Sequence, residues 1–384
     1  MKNRNKMILL LGFMAFLANG DNYAAAPLLL NIAKDLNLSV ETAAVSVTAY
    51  MLSFGAFTLI FGPLSDRYGK AKVINIAAVG TAIFSILGGF AFNLTSLVFF
   101  RAMNGAFAAG IFPVTMALVG QSFDDSSRHK ALGKVMGMMF LGAATATIVG
   151  GVLAYFGSWR LVYIVYGVGE LALALLMLKM LEKDAPVVKE LNFASVYKEP
   201  LTNIRFMRLV LTIFLVGFSV FGTFTYAGKL LQGATGYSVL GIGLILSLFG
   251  VGTVLGGRIA PKIKQKTSSL YFFIAGIIGF LGVLTLSISS NVYILSAGLF
   301  FFGLAFIFFQ STLVAAAQGM LPRMKGTAMS TASFNMFVGG AVGTSLNAKI
   351  ISSYSISKIY LIAAILLLIV GVIMTLFQHE KRIL

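Results

Sequence analysis

The sequence predicts an all-α membrane protein whose twelve transmembrane helices form two pseudo-symmetric six-helix bundles. Three observations lead to this prediction: the composition, the number of long apolar runs and the position of one long polar stretch. Hydrophobic residues make up 58% of the 384 residues and charged residues only 11%, against roughly 25% in an ordinary soluble domain. The mean hydropathy is +0.93. A soluble fold could not bury this much apolar surface, so we expect a lipid bilayer around the chain.

A helix that crosses a bilayer needs about 20 mostly apolar residues. Such runs recur along the chain at 7–32, 42–64, 72–92, 96–121, 131–155, 160–181, 206–231, 238–260, 269–289, 292–318, 327–351 and 356–377. The polar stretch between the sixth and seventh runs divides them into two equal sets. This division predicts an N-terminal bundle at 1–181, a cytoplasmic linker at 182–205 and a C-terminal bundle at 206–384.

The positive charges predict the orientation. Of the 29 Lys and Arg residues, all but six lie in segments that share one side of the membrane when the N-terminus is inside; the six are Lys34, Arg101, Arg160, Lys229, Lys349 and Lys358. Cytoplasmic segments are rich in Lys and Arg, so we expect both termini in the cytoplasm and the chain in the inner (plasma) membrane. This distribution accounts for most of the net charge of +17 without nucleic acid as a partner. The basic, apolar start also fits a cleaved signal peptide, but we expect a first span because the same texture recurs throughout.

The two halves contain similar stretches. Phe54 to Arg67 (FGAFTLIFGPLSDR) aligns with Phe249 to Lys262 (FGVGTVLGGRIAPK) at a shift of 195 residues, and Phe, Gly, Thr and Gly coincide. Both stretches join the second and third spans of their half. Repeated bundles of this kind build many secondary transporters, which hold the substrate between the halves near the middle of the membrane.

An aspartate interrupts the first span, in the stretch FLANGDNYAAAPLLL. A carboxylate such as Asp21 at this depth costs roughly 2.5–3.5 kcal/mol on insertion scales. Protonation or a neighbouring cation relieves that cost. Arg101 in the fourth span lies at a height that differs by roughly 7–8 Å at 1.5 Å per residue, within reach of an arginine side chain. We expect the pair to exchange a proton for substrate; the alternative is a fixed ion pair that only positions helices.

Glu170 is the other deep acid, in the sixth span. It is either a structural partner of Arg160 or of a polar neighbour, or a second proton site. We include it with Asp21 and Arg101 in the predicted proton-coupling set.

Several motifs resemble those of the major facilitator superfamily, and most closely its twelve-span drug:proton antiporters. The loop GPLSDRYGKAK, the arginine and glycine four residues apart in LVFFRAMNGAFAAG, and the glycine-rich fifth span GKVMGMMFLGAATATIVGG are similar to motifs of that family. The resemblance implies a conformational gate on the cytoplasmic side formed by Gly62, Asp66, Arg67, Gly69, Lys70 and Asp124. In it Asp66 would meet the start of span eleven near Gly326 and favour an outward-open state, and Asp124 would balance Arg67 or Lys70. The alternative is a charged turn that only fixes topology.

The fifth span departs from the antiporter pattern. Ala146 and Thr147 stand where that pattern has Gly-Pro. The small residues still allow close packing, but the proline bend is missing, which weakens the implied proton-driven export.

The C-terminal half contains no Asp or Glu between Leu201 and His379. Its deep polar residues include Lys229, and its seventh span is aromatic. An aromatic wall with a few polar groups suits an amphipathic organic ligand, although such a stripe also serves for packing. We therefore expect the substrate-binding set to be Asp21, Tyr50, Arg101, Phe221, Tyr226, Gln310 and Asn335.

These observations predict a secondary active transporter that exports small amphipathic molecules in exchange for protons. The alternative is a proton-independent facilitator or exchanger of a specific metabolite in the same fold. Sequence motifs of hydrolases, metalloproteases and P-loop enzymes are absent, so we expect no enzyme. We also expect no cofactor or metal, a monomer, and small-molecule substrate, protons and lipid as partners.

Overall fold

The computed structural model describes residues 2–186, 193–322 and 324–379, and these are about 90% helical with no strand among them. The helices are α1 (Lys2–Asp35), α2 (Val40–Ala43), α3 (Val45–Tyr68), α4 (Lys70–Gly89), α5 (Leu94–Ala108), α6 (Phe112–Ser122), α7 (Asp125–Phe156), α8 (Trp159–Met180), α9 (Phe193–Thr202), α10 (Ile204–Phe224), α11 (Ala227–Thr235), α12 (Val239–Thr267), α13 (Tyr271–Ile288), α14 (Val292–Met320), α15 (Lys325–Ser353) and α16 (Ile356–His379). A 3-10 turn at Ser268–Leu270 joins α12 to α13. The predicted linker and the Lys and Arg count both include residues outside the described ranges, among them 187–192 and Arg323.

Each predicted span coincides with one helix or with two consecutive helices. By length and composition, ten stretches of the described chain could cross a membrane. The difference from twelve has two sources. Predicted spans eight and nine form one continuous apolar stretch, Val239–Ile288, and α15, which covers predicted span eleven, is rich in Gly, Ala, Ser and Thr and is less apolar.

Two of the predicted spans are interrupted. Span four consists of α5 and α6. Pro113 lies in the first turn of α6, where a backbone N–H has no acceptor within the helix, so a proline there loses no helical hydrogen bond. Span seven consists of α10 and α11, and Tyr226 between them leaves the helical conformation, with φ −98° and ψ 4°. The first interruption places Pro113 in the lining of the central cavity. The second precedes α11, whose Lys229 pairs with Glu41 of α2.

The helices pack in two groups with the same pattern. In the first, α1 packs on α7, α3 on α5 and α4 on α8; in the second, α10 packs on α15, α12 on α14 and α13 on α16. These are the pairs that an internal repeat would relate. The second group, named the C-terminal group here, contains α10 to α16, and the first, the N-terminal group, contains α1 to α8.

The two groups meet mainly through α7 against α12 and α3 against α15. Small residues allow the close approach. At Gly250 an added Cβ would lie 2.2 Å from the Cα of Ala144, so only glycine fits there. On the other side, the rings of Phe54 and Phe337 stack with centroids 3.9 Å apart.

A further helix, α9, occupies the end of the predicted linker. It is a short helix outside the membrane spans, and it contacts α10 and α15. Its Tyr197 hydroxyl donates a hydrogen bond of 2.6 Å to the backbone carbonyl of Leu59 in α3. The linker therefore contacts both groups of helices.

Candidate functional site: a buried charge cluster beside a central cavity

Two charged residues predicted to pair, Asp21 of α1 and Arg101 of α5, lie together in the N-terminal group. The Nη1 of Arg101 is 3.5 Å from Oδ2 of Asp21, and each side chain is only 1% exposed. Both helices belong to the N-terminal group, and the two side chains meet in its interior. The pair is thus isolated from bulk water and from lipid.

Arg101 has further partners that hold its guanidinium in place. Its Nη1 donates to Oδ1 of Asn104 at 3.1 Å, and the Nδ2 of Asn104 donates to the carbonyl of Thr81 at 3.0 Å. The guanidinium lies over the rings of Tyr50 and Tyr163, at 4.3 and 5.2 Å from their centroids. Such cation–π contacts strengthen when they are shielded from water.

Glu170 of α8 completes a cluster of two acids and one cation. It is fully buried and interacts electrostatically with both Asp21 and Arg101. Neither of its carboxyl oxygens has a hydrogen-bond partner among the described residues. Its suggested partner Arg160 instead bonds Asp35, with Nη1 and Oδ2 2.5 Å apart. This outcome removes the Arg160 alternative for Glu170 and leaves the carboxyl beside the other two charges.

A central cavity lies between the two groups of helices. Its empty volume is about 950 Å³ including the part open to solvent, and α1, α3, α7, α10, α12, α14 and α15 contribute to its lining. Three residues of the predicted substrate-binding set line it: Tyr50, Phe221 and Gln310. Tyr50 also contacts Arg101, so this ring connects the cavity with the charge cluster.

The other four members of that set lie elsewhere. Asp21 and Arg101 form the buried pair. The hydroxyl of Tyr226 donates to the carbonyl of Thr344 at 2.9 Å, and the amide of Asn335 donates to the carbonyl of Thr331 in its own helix, also at 2.9 Å. None of the four is among the described residues that line the cavity.

Several lining residues were not predicted: Asn19, Asn22, Tyr23, Thr253, Ser333 and Phe249. The two asparagines had a signal in the sequence, since they are polar, three residues apart and on either side of Asp21. Phe249 had none, because one phenylalanine among 34 does not reveal its neighbours.

Tyr23 lies at the centre of the aromatic contacts between the groups. Its ring centroid is 6.2 Å from that of Phe221, 6.1 Å from that of Phe224 and 6.4 Å from that of Phe249. A smaller cavity, with an empty volume of about 320 Å³, shares Asn22, Tyr23 and Phe221 with the central one and extends to Met51. These rings therefore separate two spaces along the interface.

An ion pair joins the groups at the end of the interface that was predicted to be outside. Lys229 of α11 bonds Glu41 of α2. The sequence placed Lys229 among the deep polar residues of the C-terminal half. In the structure it is paired with Glu41 and is not among the described residues that line the central cavity.

The loop between α3 and α4 differs from the contacts that the resemblance implied. Asp66 pairs with Lys70, with Oδ1 and Nζ 3.0 Å apart, and among the residues that the structure describes no hydrogen bond or ion pair joins it to α15. At Gly326 nothing lies within 4 Å of an added Cβ. Asp124 lies 3.8 Å from Arg4. The predicted partnership of Asp124 with Arg67 or Lys70 is not formed in this conformation.

A different acid anchors this loop. Asp184, just after α8, accepts hydrogen bonds from the backbone N–H groups of Lys70 and Ala71 at 2.9 and 2.8 Å. A carboxylate at a helix N-terminus is stabilised by the free N–H groups and the helix dipole. Gly69 allows this contact: its φ is 89°, and an added Cβ would lie 2.9 Å from the carbonyl oxygen of Asp184. No local pattern in the sequence indicates a pairing across more than a hundred residues.

Two packed groups of membrane helices that enclose a cavity, with buried charges beside it, define a membrane transport protein. Residues 11–344 match the family model of the Major Facilitator Superfamily, and the chain belongs to this superfamily. The predicted resemblance is thereby confirmed, and the family is one of transporters rather than enzymes.

Relatives and solved structures agree with this assignment. The chain is 25% identical to YceJ, an MFS-type transporter of Bacillus subtilis (strain 168), over 86% of this chain and 85% of YceJ. It is 27% identical to the multi-drug resistance efflux pump PmrA of Streptococcus pneumoniae (strain ATCC BAA-334 / TIGR4), over 83% of this chain and 80% of PmrA. The crystal structure of a mutant of the nucleoside transporter NupG has the same fold, with a TM-score of 0.77, 14% identity, and coverage of 96% of this chain and 98% of NupG.

Proposed function

We propose that this protein is a proton-coupled exporter of small amphipathic organic molecules that works by alternating access. The observation that carries the proposal is the charge cluster beside the central cavity: Asp21, Glu170 and one cation, Arg101, all buried. Tyr50 contacts Arg101 and lines the cavity, so a ligand there is one ring away from the cluster. The similarity to the efflux pump PmrA supports the direction and the class of substrate.

The charges of the cluster favour one bound proton. Two carboxylates and one guanidinium carry a net negative charge, and an unpaired charge inside a membrane protein is costly. A single proton makes the cluster neutral. When the cavity opens to the other side and water reaches the cluster, that proton can leave. One proton moving down 100 mV supplies about 2.3 kcal/mol, which can drive a substrate the other way.

The architecture that we propose for this cycle is the predicted one. Twelve spans form bundles at 1–181 and 206–384, with the linker at 182–205 and both termini in the cytoplasm, as a monomer in the inner membrane. The present conformation would then face inward. The ion pair between Lys229 and Glu41 closes the outer end, while at Gly133 and Gly137, in the cytoplasmic part of α7, nothing lies within 4 Å of an added Cβ. In the outward-open state Asp66 would meet the start of α15.

A second candidate is a proton-independent facilitator or exchanger of a specific metabolite. It is favoured by Ala146 and Thr147 in place of the Gly-Pro pair, and the fold is shared with a nucleoside transporter. The two candidates differ in their response to a pH gradient.

Transport in proteoliposomes tests the proposal. The purified protein would be reconstituted and offered radiolabelled chloramphenicol, tetraphenylphosphonium or uridine, each with and without a pH gradient. We expect wild type to accumulate chloramphenicol, the neutral amphipathic compound, only with the gradient. Asp21→Asn should reduce that accumulation at least tenfold. It should keep the exchange of labelled for unlabelled compound, because the substrate path is intact.

Glu199→Gln is the control, since Glu199 is an exposed acid in α9 far from the cluster. It should behave as wild type. If wild type and Asp21→Asn respond equally to the gradient, Asp21 has no coupling role. Uridine transport without any gradient would favour the second candidate.

A further inference from the structure

The described residues that line the central cavity carry no charge. Among the described residues that form it, none is Asp, Glu, Lys, Arg or His; the polar ones are Asn19, Asn22, Gln310, Thr253, Ser333 and the two tyrosines. The charge cluster lies behind Tyr50, and in it Asp21 is paired with Arg101. A charged ligand in this cavity would therefore lose its water without gaining a counterion, which is unfavourable.

Aromatic rings from both groups of helices provide the apolar contacts. Phe54 of α3 stacks on Phe337 of α15, and Tyr23 of α1 contacts Phe221 and Phe249 of the C-terminal group. All five residues line the cavity. A ligand between these rings would contact both groups at once, as a molecule carried by alternating access must. The rings favour a compact, aromatic or otherwise apolar body.

Gln310 of α14 supplies a specific polar contact. Its side chain lines the cavity, and its Oε1 is buried without a hydrogen-bond donor among the described residues. A buried acceptor without a hydrogen-bond donor is unfavourable. Rotation of the terminal amide toward the cavity would offer this oxygen to a ligand O–H or N–H. A ligand that brings a donor relieves the cost, and one that lacks a donor does not.

We propose that the substrates are uncharged amphipathic molecules with a hydrogen-bond donor, and that Gln310 of the central cavity recognises this donor. The inference rests on the proposed function only in taking the cavity as the substrate site. It differs from the expectation that Asp21 and Arg101 contact the substrate, because here they act on the proton and remain behind Tyr50.

Binding of three probes of similar size tests this selectivity. Triphenylmethanol is neutral and has an O–H donor, its methyl ether is neutral without a donor, and methyltriphenylphosphonium is a cation. Isothermal titration calorimetry of the full-length protein in detergent would give the three dissociation constants. We expect wild type to bind the alcohol about tenfold more tightly than the ether, and the cation more weakly than either.

Variants of Gln310 separate the donor effect from the apolar contacts. Gln310→Leu should weaken the alcohol about tenfold, to the level of the ether, and leave the ether unchanged. Gln310→Glu should gain binding of the cation, because it introduces a carboxylate into the cavity. Gln265→Leu is the matched control for the change from Gln to Leu. Gln265 is an exposed residue of α12 and is not among the described residues that line the cavity, so its variant should bind all three probes as wild type does.

The inference is overturned if wild type binds the cation as tightly as the alcohol, if Gln310→Leu weakens alcohol and ether equally, or if no probe binds. These results are independent of the proton. If the protein binds the alcohol selectively but its transport does not depend on a pH gradient, this inference holds and the proposed coupling to protons is refuted.

Discussion

At the scale of single residues, three buried ionisable side chains interact with one another. Asp21 and Arg101 form an ion pair, and Glu170 interacts with both but has no hydrogen-bond partner among the described residues. Removal of one partner from a buried pair is strongly destabilising when it leaves a charge uncompensated. In this cluster the second acid can take over, because either carboxylate can balance the guanidinium.

This redundancy predicts non-additive stability. Asp21→Asn and Glu170→Gln should each change the free energy of unfolding by about 1 kcal/mol or less, as the remaining acid ionises beside Arg101. The double variant leaves the guanidinium buried without an acid and should lose about 3–5 kcal/mol. Thermal unfolding in detergent measures all three.

The triple variant that adds Arg101→Met is the control, since it removes the uncompensated charge and should recover most of the lost stability. A double variant whose loss equals the sum of two small single effects would mean that the three charges do not form one unit.

At the scale of the elements, a proline inside helix α3 leaves a backbone carbonyl without its helical donor, and a residue of another helix supplies one. Pro63 lies inside α3 and has no N–H, so the carbonyl of Leu59 four residues earlier lacks its helical donor. Tyr197 of α9 donates to this carbonyl at 2.6 Å. Tyr197 lies outside the membrane spans, and burial raises the pKa of its hydroxyl, which keeps the donor protonated. The linker helix is thus bound to α3 at the place where α3 needs a donor.

A double-mutant cycle tests this contact. Tyr197→Phe should destabilise the protein by about 1–3 kcal/mol, because it leaves a buried carbonyl without a donor. In the Pro63→Ala background, where the new N–H serves the Leu59 carbonyl, the same change should cost less than about 0.5 kcal/mol. Thermal unfolding of the four proteins gives the coupling, and the rate of tryptic cleavage at the exposed Lys198 reports release of α9.

Equal effects of Tyr197→Phe in both backgrounds would contradict the link to Pro63. The hydroxyl would then matter for some other contact of α9.

At the scale of the whole molecule, an ion pair bridges the two groups at the end of the interface that we propose faces outward. Lys229 and Glu41 belong to different groups, with side chains 34% and 12% exposed. Partial exposure limits the contribution of such a pair to roughly 0.2–1 kcal/mol. An energy of this size is suited to bias an equilibrium between two conformations without preventing their exchange.

Labelling of a single cysteine measures that bias. The chain contains no cysteine, and Ala25 lines the smaller cavity, which we propose faces outward, so Ala25→Cys provides a unique reporter. Lys229→Met should increase its reaction with an impermeant maleimide added outside intact cells by about two- to fivefold. Lys349→Met, which removes an exposed lysine of α15, should leave the rate unchanged. Equal rates for the two lysine variants would exclude a closing role for the bridge.

The sequence predicted the charge cluster better than it predicted the cavity. Asp21 and Glu170 were conspicuous because acids are costly inside apolar spans, and counting residues along two helices was enough to bring Arg101 to the level of Asp21. The sequence could not show that Tyr226 and Asn335 lie away from the cavity lining, because the position of a residue in a span does not reveal which way its side chain points. The cap of α4 by Asp184 and the contact of Tyr197 with Leu59 join residues more than a hundred positions apart, and neither leaves a pattern in the chain.

The sequence by itself determined that this protein lies in a membrane, consists of long helices, belongs to the Major Facilitator Superfamily and contains buried charges. These properties depend on composition, on the length of the apolar runs and on local motifs, all of which can be read from the order of residues in the chain. Only the tertiary structure decided that the described residues lining the central cavity carry no charge, that Lys229 pairs with Glu41, and that Asp66 pairs with Lys70 rather than with a described residue of α15. Those features depend on how two groups of helices rotate and approach one another, and contacts between distant residues arise only when the packing of side chains selects one arrangement.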